Sequence, residues 1–237
     1  MTMFSRAAAV LLTACCISPC PGDVLVYDNS SGPLVSLSGF SSAGELINFD
    51  NSLAGLEVFQ LDFGIALPAA GTFDFEYIVE FWDTHNASGT PVHEDLLSAF
   101  IVDPNQPFTV VGTATGLITS DDLRPAGLSF VLPDDGKMFF KYTIVDKTDG
   151  LQADPATEAT VLLSRGGVSI GDSPDSIYLD QNGDGILGAG ERFDLPGDPG
   201  IDQDNIRLTL HAAAVPEPGS VVLLCIAAVA LVTRRRR

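Results

Sequence analysis

Several stretches of the chain alternate between apolar and polar side chains. From Thr72 to Trp82, the residues Phe73, Phe75, Tyr77, Val79 and Phe81 fall on one face, and Asp74, Glu76 and Glu80 on the other. Phe59, Leu61, Phe63 and Ile65 share a face within Leu56–Ile65, as do Met138, Phe140, Tyr142 and Ile144 within Lys137–Val145. Near the end, Ile206, Leu208 and Leu210 alternate with Arg207, Thr209 and His211. A period of two is the mark of a half-buried strand. Shorter candidates are Val24–Tyr27, Leu46–Phe49, Leu97–Val102, Phe108–Ala114, Leu128–Leu132, Ala159–Leu163 and Ile177–Leu179.

Turn-forming clusters such as Pro133-Asp134-Asp135-Gly136 and Asp103-Pro104-Asn105-Gln106-Pro107 separate these runs. No segment of ten residues has a convincing helical period except the apolar stretch near the end. About ten short strands, each with one apolar face, predict an all-β fold. The expected form is an antiparallel two-sheet sandwich, jelly-roll-like, over residues 23–212, followed by a short C-terminal hydrophobic helix.

The two ends read as targeting segments. Arg6 and the apolar run Ala7–Ala14 form a secretory signal over residues 1–22. Leu12-Thr13-Ala14-Cys15 resembles a lipobox. A conventional cut near Gly22/Asp23 is favoured, because a second anchor at the other end would make a lipid redundant. At the C-terminus, Val215-Pro216-Glu217-Pro218 precedes an apolar stretch from Ser220 to Thr233 and then Arg234, Arg235, Arg236 and Arg237. The prolines interrupt regular structure and leave Glu217 extended and exposed. The apolar stretch is shorter than the ~20 residues of a comfortable membrane span. The arginines hold the end on the cytoplasmic side.

This order of motif, short apolar helix and arginine cluster over residues 215–237 resembles the PEP-CTERM sorting signal. The resemblance implies export across the inner membrane and transient membrane insertion through the tail. It also implies an exosortase, a membrane cysteine peptidase that removes the tail, as partner. The destination it implies is the cell surface or extracellular matrix, in association with exopolysaccharide or biofilm.

Charge and cysteine then narrow the body. Of 12 basic and 31 acidic residues, five arginines and Glu217 lie in the end segments, which leaves seven basic against 30 acidic, a net −23. Such a body repels nucleic acid and anionic lipid and attracts divalent cations. Cys15, Cys16, Cys20 and Cys225 all lie in the end segments. The body therefore holds no disulfide and no thiolate metal site.

One motif carries chemistry. Asp180-Gln181-Asn182-Gly183-Asp184-Gly185-Ile186-Leu187-Gly188-Ala189-Gly190-Glu191 fits a twelve-residue Ca²⁺ loop. Calcium takes six to eight oxygens. Asp180, Asn182 and Asp184 supply side chains at positions one, three and five. Gly185 makes the turn, Ile186 offers its carbonyl at position seven, and Glu191 can bind through both oxygens at position twelve. Gly188 leaves position nine to a water, and Leu187 can tuck into the core. The loop resembles an EF-hand, yet Ser176–Leu179 before it reads as a strand and Arg192–Pro196 after it cannot form a full helix. It is similar to EF-like loops set between strands in bacterial surface proteins, and Asp194, Asp198, Asp202 and Asp204 can add ligands. With no paired helices to open, the ion is expected to be structural rather than a switch.

Trp82-Asp83-Thr84-His85 and His93-Glu94-Asp95 flank a turn-rich stretch and read as a polar hairpin loop. The competing reading is a second metal site or a sugar-binding edge with Trp82 as a stacking platform. Two functions remain open: a non-catalytic surface or matrix protein, or a carbohydrate-binding or carbohydrate-active module.

Overall fold

The computed structural model describes residues 23–30, 32–36, 40–83, 96–165, 168–173, 176–181, 183, 187, 191–194 and 204–215. The chain divides into two compact units, the body Val24–Ala212 and the two end segments together.

Two antiparallel sheets form the body. The first follows the order β1 (Val24–Asp28), β17 (Leu208–Ala214), β4 (Leu56–Leu67), β13 (Thr160–Arg165) and β16 (Asp204–Ile206). Strands β9 (Ala114–Thr119) and β10 (Phe130–Val131) add to β4, and β2 (Leu34–Ser36) adds to β13. The second sheet runs β15 (Arg192–Asp194), β14 (Ser176–Leu179), β3 (Ser42–Asn48), β11 (Lys137–Asp146), β6 (Phe75–Trp82) and β7 (Leu96–Val102), with β12 (Leu151–Gln152) on β11. Strands β5 (Gly71–Phe73) and β8 (Phe108–Val110) make a separate ribbon. The chain passes back and forth between the sheets, a jelly-roll-like course. Among the described residues there is no helix long and apolar enough to cross a membrane. The apolar stretch 220–233 lies outside the described residues.

The alternation seen in the sequence becomes the core. Met138, Phe140, Tyr142 and Ile144 of β11 are fully buried against Phe75, Tyr77, Val79 and Phe81 of β6 and Leu61, Phe63 and Ile65 of β4. Phe63 sits 5.2 Å from Tyr77 and 5.0 Å from Tyr142, centroid to centroid, within the range of favourable aromatic pairs. The Tyr142 hydroxyl crosses the sandwich and donates to the Gly64 carbonyl at 2.7 Å. The Tyr77 hydroxyl is buried and has no hydrogen-bond partner among the described residues.

Two expectations change. Phe59 does not share the face of Leu61, because the buried positions of β4 step from Val58 to Leu61 and break the period of two. The irregularity has a visible cause: Leu61 N–H donates to the Ser120 hydroxyl and Leu123 N–H to the Phe59 carbonyl, where β4 changes partner from β10 to β9. Phe59 turns outward, and the Arg124 guanidinium lies 4.1 Å over its ring. Second, Phe108–Ala114 is not one strand, because the chain leaves the ribbon after Val110 and joins the first sheet at Ala114. The closing alternation holds, with Ile206, Leu208 and Leu210 buried and Arg207, Thr209 and His211 less so, although the run divides at Arg207 into β16 and β17. Asn29, fully buried, clips the break by donating to the Ile206 carbonyl and accepting from Leu208 N–H.

Candidate functional site

The twelve-residue loop is the connection of a β-hairpin. Strand β14 pairs with β3 on one side, Tyr178 opposite Gly44, and with β15 on the other, Tyr178 opposite Arg192. Both flanks are strands, so the context is strand–loop–strand. Antiparallel pairing of the flanks brings the first and twelfth positions together. Asp180 N–H donates to the Ser42 carbonyl at 3.2 Å, which fixes the loop's start on β3. Gln181 N–H donates to Glu191 Oε1 at 3.0 Å, and Gly183 N–H donates to Asp180 Oδ1 at 2.7 Å. Gly183 takes φ +72°, a left-handed turn that glycine adopts without strain.

Asp180 is 5% exposed and Glu191 9%. Two carboxylates drawn from water at one end of a hairpin are costly unless hydrogen bonds or a cation compensate them. Asn182, Asp184 and Ile186 lie outside the described residues. Among the described residues, no group of three or more His, Cys, Asp or Glu side chains comes together as a metal site.

Leu187, at the eighth position, is 2% exposed and packs on the outer face of the second sheet with Trp82, Phe139 and Tyr178. Phe139 and Tyr178 meet edge to face at 5.3 Å. Gly44 makes room for this cluster: a Cβ there would meet Leu187 Cδ1 at 2.7 Å and the Phe139 ring. Trp82 is only 8% exposed, so its ring is spent on packing and offers no stacking platform for a sugar. Thr84, His85, His93, Glu94 and Asp95 lie outside the described residues.

A second buried acidic group was not expected from the sequence. Glu45 is 1% exposed on the inner face of β3, between Ala43 and Ile47. Ile206 N–H donates to Oε2 at 2.6 Å and the Tyr27 hydroxyl to Oε1 at 3.2 Å. Burial pushes its carboxyl from 4.5 up to about 7, against the hydrogen bonds of Ser173, Ile206 and Tyr27 that favour the charged form. The signal was present as a glutamate at an inward position of an alternating strand. The apolar run Leu46–Phe49 hid it by suggesting a later strand start.

Val215, the first residue of the sorting motif, is 42% exposed. Pro216, Glu217, Pro218, Arg234, Arg235, Arg236 and Arg237 lie outside the described residues. No curated protein and no solved structure matches the chain. Residues 214–237 match the PEP-CTERM protein-sorting motif, which supports an exported protein whose C-terminal tail is a sorting signal for processing by an exosortase.

Proposed function

We propose that this is a non-catalytic protein of the cell surface or extracellular matrix, held as a β-sandwich outside the membrane and pinned at one hairpin by calcium. The sorting motif at 214–237 carries the reading. The net charge of −23 on the body agrees with a protein that keeps clear of nucleic acid and anionic lipid. In an exopolysaccharide matrix its partners would be neutral glycans or other proteins.

The calcium part of the proposal draws on the residue pattern of the loop. It is supported by the burial of Asp180 and Glu191 at the neck of the hairpin. Asp180, Asn182, Asp184 and Glu191 would supply carboxylate and amide oxygens, and Ile186 a carbonyl, which is the hard-oxygen set that calcium prefers. Extracellular sites of this kind bind at about 10⁻⁴–10⁻³ M. With a Kd of about 1 mM, 10 mM calcium stabilises the folded state by about 1.4 kcal/mol. For a domain of this size that is a rise in Tm of roughly 3–6 °C. Asp184→Ala or Glu191→Ala removes the rise. A melting curve that does not move with millimolar calcium contradicts the site. Reproducible calcium-dependent binding on a glycan array would replace the matrix-protein reading with a carbohydrate-binding module.

A further inference from the structure

The open side of the sandwich carries a groove. There β7 ends the second sheet, and β9 and β10 border the first. On this side the Ser98 hydroxyl of β7 donates to the carbonyl of Leu128, just before β10, at 2.7 Å. Farther along, β7 runs out into Asp103 and β9 into Asp121, and a groove of about 720 Å³ opens between them. Phe100 and Ile118, each 6% exposed, form its floor, and Leu117, half exposed, forms a wall.

Consecutive residues of both strands line the groove, so it is bordered by strand edges as well as side chains. Among the described residues β9 pairs with β4 alone. Thr115, Gly116, Leu117 and Thr119 of β9 are exposed, which leaves its outer backbone edge open to a further strand. An open edge with apolar neighbours is a template for strand addition, in which main-chain hydrogen bonds supply affinity and side-chain pockets supply selectivity.

The charge of the groove selects the strand. Asp103, Asp121 and Asp122 line it, and among the described residues no lysine or arginine does. Lys147 pairs with Asp103 at 3.1 Å and Arg124 with Asp122 at 2.6 Å, so these two charges are partly offset, and Asp121 together with the acidic body carries more of the attraction. The rest of the body is acidic as well, so an anionic segment is repelled at long range and a basic one is drawn in.

We infer that the groove binds an extended, basic peptide segment of a partner protein, added to the free edge of β9. Its apolar side chains rest on Phe100, Ile118 and Leu117, and its lysines or arginines meet Asp103, Asp121 and Asp122. This goes beyond the sorting signal and the calcium loop and depends on neither.

The test uses the full-length protein and a fluorescently labelled six-residue peptide alternating valine and lysine, matched to the length of β9. A valine–glutamate peptide serves as the control. The lysine peptide binds, raises anisotropy, weakens as salt is added, and protects β9 amides from hydrogen exchange. The triple variant Asp103→Asn/Asp121→Asn/Asp122→Asn weakens binding by about ten-fold, the sum of three exposed charge contacts. An unchanged Tm shows that this variant is folded. Leu117→Ser is a second variant that leaves the charges in place and also weakens binding. The inference is overturned by no binding, by equal binding of the glutamate peptide, or by protection elsewhere with β9 unprotected. Displacement of the lysine peptide by a neutral glucose hexamer overturns it in favour of a saccharide site.

Discussion

The buried Glu45 gives the sharpest prediction about stability. Its carboxyl ionises near 4.5 when the chain is unfolded and at about 7 when it is folded. Between those values the unfolded chain gives up a proton that the native state keeps. Stability therefore falls as pH rises through this window, and the full cost is reached above pH 7. A gap of about 2.5 pH units corresponds to about 3 kcal/mol, with a slope of at most about 1.4 kcal/mol per pH unit. Asp28, Asp50, Asp103, Asp122 and Asp154 have the opposite sign, because hydrogen bonds hold them below 3.8. Their contributions are complete above the ordinary aspartate range and are lost only at lower pH, outside the Glu45 window.

Glu45→Gln keeps an acceptor for Ile206 N–H and removes the titration. Urea unfolding of both forms from pH 4.5 to 8 reads the difference directly. The glutamine form lacks the Glu45 slope and is the more stable of the two at pH 8, by up to about 3 kcal/mol. Parallel profiles for the two forms, with no divergence between pH 5 and 7, would refute the reasoning. They would show that the three hydrogen bonds outweigh burial.

Two hydroxyls in the same core separate a satisfied group from an unsatisfied one. Tyr142→Phe loses the bond to the Gly64 carbonyl and costs about 1–2 kcal/mol, whereas Tyr77→Phe, which loses no partner, is neutral or stabilising in thermal melts. Leu187→Ala removes a fully packed side chain from the outer cluster, at a cost of roughly 2–5 kcal/mol. It also shifts the emission of Trp82, the sole tryptophan, to longer wavelength, and an unshifted spectrum would place Leu187 away from the cluster.

The sandwich was legible because two-residue alternation survives wherever a strand has one wet face. Phe75, Tyr77, Val79 and Phe81 of β6 show this, buried while Glu76, Ile78 and Glu80 between them stay more exposed. Phe59 was misplaced because a change of partner strand shifts the alternation, and nothing in Leu56–Ile65 marks where β4 leaves β10 for β9. Trp82 looked available for ligand binding because local sequence cannot report a cover that arrives from Leu187, about a hundred residues away. The same non-locality hid the groove, whose two walls come from strands of different sheets. The calcium loop was legible as a pattern, since its ligand spacing is set within twelve residues. Its neck, with Asp180 and Glu191 buried together, required the pairing of β14 with β15.

The sorting reading rests on the tail being an address that is cut off. Intact-mass measurement of the protein recovered from cells with and without an active exosortase tests this most directly. The account predicts a chain shortened at or near Val215–Pro218 in the first case, lacking Ser220–Arg237, and a chain ending in Arg237 in the second. A chain that keeps Arg234–Arg237 in both would contradict it.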